Sequence, residues 1–150
     1  MDKIDRFLLS QLQRDARQSA AQLGEQVGLS PSPCARRIRQ LEEQGFIEGV
    51  YARLNTKQLG FHLTVFVHVR LSAHHEAVIL EFEEAIQSMD EVLNCTVTSG
   101  KFDYLLEVLV KDLESYELWM KSLHRLSVVS QIDSAFSIRK VKSNGVLPLT

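Results

Sequence analysis

The sequence predicts an α+β fold in two parts, a small helical domain followed by a mixed sheet-and-helix domain. Three observations carry that reading. Apolar residues in the first fifty positions recur at helical spacing. Phe61, Leu63, Val65, Val67, Val69 and Leu71 alternate without a miss, as in a strand with one buried face. After that strand, helical and alternating patterns succeed one another in the order β-α-β-β-α-β.

Ile4, Phe7, Leu8 and Leu12 open the chain as one face of an amphipathic helix. Ser19-Ala20-Ala21-Gln22 reads as a capping box that starts a second helix with Leu23 and Val27 inward. Gly28 is the turn and Ser30 the next cap, so two short helices meet across about four residues. The third helix begins in Ser30-Pro31-Ser32-Pro33, where serine hydroxyls suit free N–H groups and proline has none to lose; Gly45 supplies its exit. At about 100° per residue, Cys34, Ile38 and Leu41 form one seam. Ser32, Arg36, Arg39 and Gln40 point away from it, and Arg37 lies at the margin. This is the order of a helix-turn-helix. Behind it, Gly45–Asn55 carries β-prone residues and is predicted to form a small wing or a linking strand.

In the second half, Val78, Phe82, Ala85, Ile86 and Met89 repeat at helical spacing. Val92–Val97 and Tyr104–Val110 are strands separated by the turn-like Thr98–Asp103. Asp112 caps a helix bearing Leu113, Tyr116, Met120 and Leu123, and Ile132, Phe136 and Ile138 share one face of a last strand. The strand and helix order is the ferredoxin-like plan. Residues 1–55 are expected to form the winged helix-turn-helix domain, 56–60 a linker, and 61–150 the ferredoxin-like domain.

Composition excludes several classes. The formal charge is −2, so no polyanion partner shows in the total. It shows in the distribution: residues 1–50 hold seven Lys/Arg and seven Asp/Glu, yet Leu29–Leu41 holds three arginines and no acid. Local charge is what a phosphate backbone feels, since salt screens beyond roughly 10 Å. Cys34 and Cys95 are isolated, which argues for a reducing compartment and against a disulfide framework or zinc site. The start of the chain carries acids and no long apolar run, so a cytoplasmic protein without signal peptide or membrane span is expected.

Three stretches carry a resemblance: Asp2–Arg17 (DKIDRFLLSQLQRDAR), Val27–Ile47 (VGLSPSPCARRIRQLEEQGFI) and Thr98–Val108 (TSGKFDYLLEV). They resemble the leucine-responsive regulatory protein and AsnC group of bacterial and archaeal transcription regulators, over almost the whole length. The resemblance implies a winged helix-turn-helix joined to a ferredoxin-like domain that dimerises, assembles further to a tetramer or octamer, and binds small effectors, usually amino acids. The family pattern Gly-Asp-x-Asp here reads Gly100-Lys101-Phe102-Asp103, a cation in place of one carboxylate.

An outward arginine takes guanine O6 and N7 together, or grips a phosphate bidentately. A basic helix face is often no more than solvated surface, but the two-helix frame and segregated donors favour the major groove of double-stranded DNA. Ser30, Ser32, Pro33, Arg36, Arg37, Arg39 and Gln40 are the expected DNA-binding set, with Arg37 divided between DNA and an intraprotein salt bridge. For the Gly100 loop, an ordinary hairpin is the plain alternative. The resemblance places the family's effector at this loop, between dimers. Amides around Gly100 suit a carboxylate and Asp103 an ammonium; Lys101 either serves an acidic ligand or ties the loop to a neighbouring subunit. Phe102, Tyr104 and, by place in the family architecture, His124, Phe136 and Ser137 complete the expected effector set. His62 and His68 share a strand face and His74-His75 are adjacent, without the three or four convergent ligands a metal needs. No metal, cofactor or catalytic arrangement is expected. Two alternatives stand beside a regulator: a tetrapyrrole-pathway decarboxylase of similar plan, which has no use for a basic third helix, and a metabolite-binding module that no longer reads DNA.

Overall fold

The computed structural model describes residues 1–143 and 145–149. They form two compact units. One comprises Met1–Arg53 with the C-terminal segment that starts at Val141; the other is Leu54–Lys140. The expected second domain, residues 61–150, thus ends ten residues early by this division, and the expected linker at 56–60 is a hydrogen-bonded turn in which Phe61 N–H reaches Thr56 O at 2.9 Å.

The first unit has three helices, α1 (Lys3–Leu12), α2 (Ala20–Val27) and α3 (Pro31–Glu43). Asp2 and Asp5 cap α1 reciprocally, each carboxylate accepting the other's backbone N–H. Ser19 and Gln22 do the same for α2, as the sequence predicted. Gly24 is buried under the turn, and a Cβ there would meet Leu29 O at 2.5 Å, so the α2–α3 turn can close only over hydrogen. Ser30 has the extended backbone of a cap, but its side chain makes no capping bond. Pro33, at the third helical position, removes one of the two N–H groups such a cap uses. Leu8, Leu9, Leu23, Cys34 and Leu41 form the core, flanked by Ile4, Leu12, Ile38 and Leu149. No wing forms. Residues 47–55 carry no strand, and Val50, Tyr51 and Leu54 are exposed; β-prone residues without a partner strand have no ladder to join.

The second unit runs β1 (Leu63–Leu71), α4 (Glu76–Gln87), β2 (Val92–Val97), β3 (Tyr104–Val110), α5 (Leu113–His124) and β4 (Val129–Phe136). Its sheet order is β2-β3-β1-β4, with each neighbouring pair antiparallel. The alternation seen in the sequence sets the faces. Val65, Val67, Val69, Leu106 and Val108 are fully buried against Phe82, Ile86, Trp119 and Leu123 of the two helices. Thr64, Phe66 and His68, with Leu105, Glu107 and Leu109 opposite them on β3, lie on the uncovered face and are half-buried.

Three assignments shift. His62 precedes β1 and so shares no strand with His68. Ile138 lies beyond β4 and is 96 % exposed, because pairing with β1 runs out at Val65↔Phe136 and the Ser137 N–H to Thr64 O bond. Leu113 is exposed, and Trp119 takes its place in the inward stripe of α5.

Candidate functional sites

On α3 the seam is Cys34, Ile38 and Leu41, with Cys34 and Leu41 buried in the core. Ser30, Ser32, Arg36, Arg39 and Gln40 are exposed, and Pro33 is half-buried beside them. Among the described residues, the side chains of Arg36, Arg39 and Gln40 make no hydrogen bond or ion pair. Arg37 differs. Its Nη1 donates to Asp2 Oδ2 and to Asp5 Oδ1, both at 2.8 Å. These bonds, that to Asp5 foremost, raise the guanidinium pKa further above its ordinary value. Asp2 is held below the usual carboxylate range by the Asp5 N–H and, against a small burial penalty, by Arg37. Of the two roles expected for Arg37, the intraprotein clasp is present in the fold, and it ties α3 to the cap of α1.

The Gly100 loop is closed by Thr98, whose N–H bonds Asp103 O at 2.8 Å and whose hydroxyl bonds Phe102 O at 3.0 Å. Gly100 has φ +113°, a conformation only glycine adopts without strain. Lys101 Nζ lies 5.3 Å from the Phe102 ring centroid, and that ring lies 5.4 Å from His68 of the uncovered sheet face. Asp103 is already engaged. Its Oδ2 accepts Leu71 N–H at 2.7 Å and its Oδ1 meets His74 Nε2 at 2.8 Å. Burial pushes the Asp103 pKa up, but the Leu71 N–H, His74 and Arg70 outweigh it and hold the carboxyl below its ordinary range. Both carboxylate oxygens of Asp103 thus have a partner within the chain.

The remaining candidates do not converge on this loop. Tyr104 turns to the helix side, buried against Phe82, and donates to Glu83 Oε1 at 2.8 Å; burial and that carboxylate push its phenol pKa far up. Phe136 packs edge-on to Tyr116 at 5.2 Å, and Ser137 N–H bonds Thr64 O. Phe136 pairs with Val65 while Asp103 N–H bonds Val69 O. Four strand residues, roughly 13 Å, therefore separate the two ends of the expected pocket. His124 is exposed, its Nδ1 at 3.1 Å from Met120 O one turn back. His74, weighed in the sequence only beside His75 as a metal ligand, is the partner that sequence reasoning missed. Nothing in the local pattern signals a contact between residues 29 apart. Among the described residues no three His, Cys, Asp or Glu side chains converge as metal ligands, and no helix is long and apolar enough to cross a membrane.

A helix-turn-helix whose third helix presents unpaired arginines, followed by a βαββαβ sandwich, defines a DNA-binding protein with an appended α/β domain. The AsnC-type helix-turn-helix domain matches residues 1–42, and the Lrp/AsnC ligand binding domain matches residues 64–147. The chain belongs to the Lrp/AsnC family of transcription regulators. It is 40 % identical to the leucine-responsive regulatory proteins of Escherichia coli K12 and Klebsiella pneumoniae over 148 residues, 98 % of this chain and 90 % of each relative. Among solved structures, a transcriptional regulator from Neisseria meningitidis in complex with L-methionine superposes with TM-score 0.94 at 31 % identity, covering 99 % of this chain and 97 % of that one. An AsnC family regulator from Agrobacterium tumefaciens gives 0.91 at 35 % identity, with the same coverage of each chain.

Proposed function

We propose that this regulator binds duplex DNA through Arg36 and Arg39 of α3 and senses an amino acid with its second unit. The carrying observation is the contrast among three neighbouring arginines: Arg37 is spent on Asp2 and Asp5, whereas Arg36 and Arg39 are exposed and unpaired among the described residues. Unpaired guanidinium groups on one outward face suit base edges and phosphates, with Ser30, Ser32, Pro33 and Gln40 at their flanks. One such helix buries too little DNA for useful specificity, so two per assembly on a pseudo-palindromic site follow.

DNA reading belongs to Met1–Arg53 with the C-terminal segment, and sensing and assembly to Leu54–Lys140. The uncovered sheet face, with Phe66, Leu105 and Leu109 on it, is the surface where a second copy packs, giving a dimer or larger assembly. The L-methionine complex of the similar Neisseria regulator supports an amino-acid effector. Because Phe136 and Ser137 stand away from the Gly100 loop in one chain, a pocket using both draws them from different copies. The reading is of a cytoplasmic regulator and not of a catalyst. Fluorescence anisotropy with duplex DNA tests the first part: binding should weaken steeply as salt rises, because phosphate contacts release counterions. Salt-independent binding or none at low salt overturns it. Thermal-shift screening of the twenty amino acids tests the second, since selective binding raises apparent stability.

A further inference from the structure

The C-terminal segment belongs physically to the first unit, although more than eighty residues of the second unit intervene. Gln13, just past the end of α1, grips Leu147 in both directions: its Nε2 donates to Leu147 O at 2.9 Å and its Oε1 accepts Leu147 N–H at 2.7 Å. This is the pairing of one strand residue with another, made by a side-chain amide, and it fixes the segment's register on α1. Arg53 Nη1 donates to Ser143 O at 3.1 Å. Leu149 packs, half-buried, on the cluster of Leu8, Leu9, Leu23, Cys34 and Leu41. Cys34 and Leu41 are the seam of α3, so the segment closes the same core that seats the arginine helix.

We infer that the described residues of the C-terminal segment, 141–143 and 145–149, form a strap that completes the helix-turn-helix unit, and that the surface beside Gln13 is a docking site for this segment of the chain. Leu54–Lys140 is thereby an insertion whose two ends both join the DNA-binding unit. A strap of this kind gives the sensing unit a second covalent hold on the unit that carries α3. Its docking is intramolecular, so a few hydrogen bonds and one leucine suffice where a free peptide of the same length would not stay bound. Release of the strap uncovers one side of the core and loosens α3 without touching any residue that faces DNA. The inference rests on the DNA-binding reading only for its last consequence.

The test uses the full chain with Gln13→Ala, Gln13→Glu and Leu149→Ser. Hydrogen exchange at the Leu147 amide and along α3 is followed first, without DNA. Gln13→Ala removes both bonds and should speed Leu147 exchange about tenfold, the order of two ordinary hydrogen bonds. Gln13→Glu keeps an acceptor for Leu147 N–H but sets a second oxygen against Leu147 O, so it too should speed exchange. Leu149→Ser should raise exchange along α3. Carboxypeptidase should trim all three variants faster than the wild type, and their affinity for duplex DNA should drop several-fold. A Leu147 amide that exchanges in the wild type as fast as in a free peptide, or that Gln13→Ala leaves unchanged, overturns the strap. Release of the segment with α3 exchange and DNA affinity unaltered overturns its role in seating α3. If exchange changes as expected but the wild type binds no duplex, the strap stands and the DNA-binding reading alone fails.

Discussion

Asp103 is the residue whose replacement discriminates best between a ligand contact and a structural one. β3 pairs with β1 only as far as Val69↔Tyr104, so Leu71 N–H lies beyond the ladder and is satisfied by the Asp103 carboxylate instead. Leu71 is 3 % exposed, which denies that N–H a replacement from bulk water. Asp103→Ala strands it, at a cost of about 1–3 kcal/mol for an unsatisfied buried donor. The His74 contact adds little, about 0–1 kcal/mol, because the His74 side chain is 64 % exposed and screened by solvent. A loss of about 2 kcal/mol in a unit of this size lowers its melting temperature by roughly 10 °C. Asp103→Asn keeps an acceptor for Leu71 N–H and should cost a few degrees at most. Trp119, the single tryptophan, sits 3 % exposed in the core of the second unit, so its fluorescence reports that unit's unfolding directly.

The pH dependence has a defined sign. The folded carboxyl is held below its ordinary range. Its stabilisation is therefore present above the unfolded pKa, about 4, and is lost as the pH falls through the lower folded value. The gap between wild type and Asp103→Asn should be present at neutral pH and vanish once the pH has fallen below the folded value. Equal damage from the Ala and Asn replacements, or a gap that persists once the carboxyl is protonated in acid, refutes the reasoning.

Arg36→Ala and Arg39→Ala should each weaken operator binding: about 1–3 kcal/mol with relaxed specificity at one position for a base contact, or a uniform loss with a shallower salt slope for a phosphate contact. Unchanged affinity in both, with the fold intact, removes α3 from the groove. Phe66→Asp places a charge on the half-buried, uncovered sheet face, and light scattering should show smaller assemblies than wild type with the same far-UV circular dichroism. Lys101→Asp should shift calorimetric preference away from ligands with a second carboxylate if the loop is the effector pocket. A wild type that prefers lysine or arginine contradicts that electrostatic argument.

Local pattern determined a great deal here, and for a specific reason. A period of two or of about 3.6 residues states which face of an element is apolar, and burial then follows from that face alone. Val92–Val97 and Tyr104–Val110 were legible as two strands because the turn-like Thr98–Asp103 stands between them. The Ser19–Gln22 box and the Cys34–Ile38–Leu41 seam were legible because capping and helical phase involve residues within a turn or two of one another. The family followed from such short-range features.

Tertiary structure decided the partners of side chains that could have gone either way. Arg37 stood at the margin of its helix, and only the approach of α1 gave it to Asp2 and Asp5, 35 and 32 residues away. Asp103 read as suited to an ammonium, and only the fold brought the end of β1 and His74 to its two oxygens. Phe136 and Ser137 seemed close to the Gly100 loop by family position, yet the antiparallel register sets them near the other end of β1. The grip of Gln13 on Leu147 spans 134 residues. Such contacts join side chains through the folding of separate elements against each other, and no periodicity within either element records which distant group will arrive there.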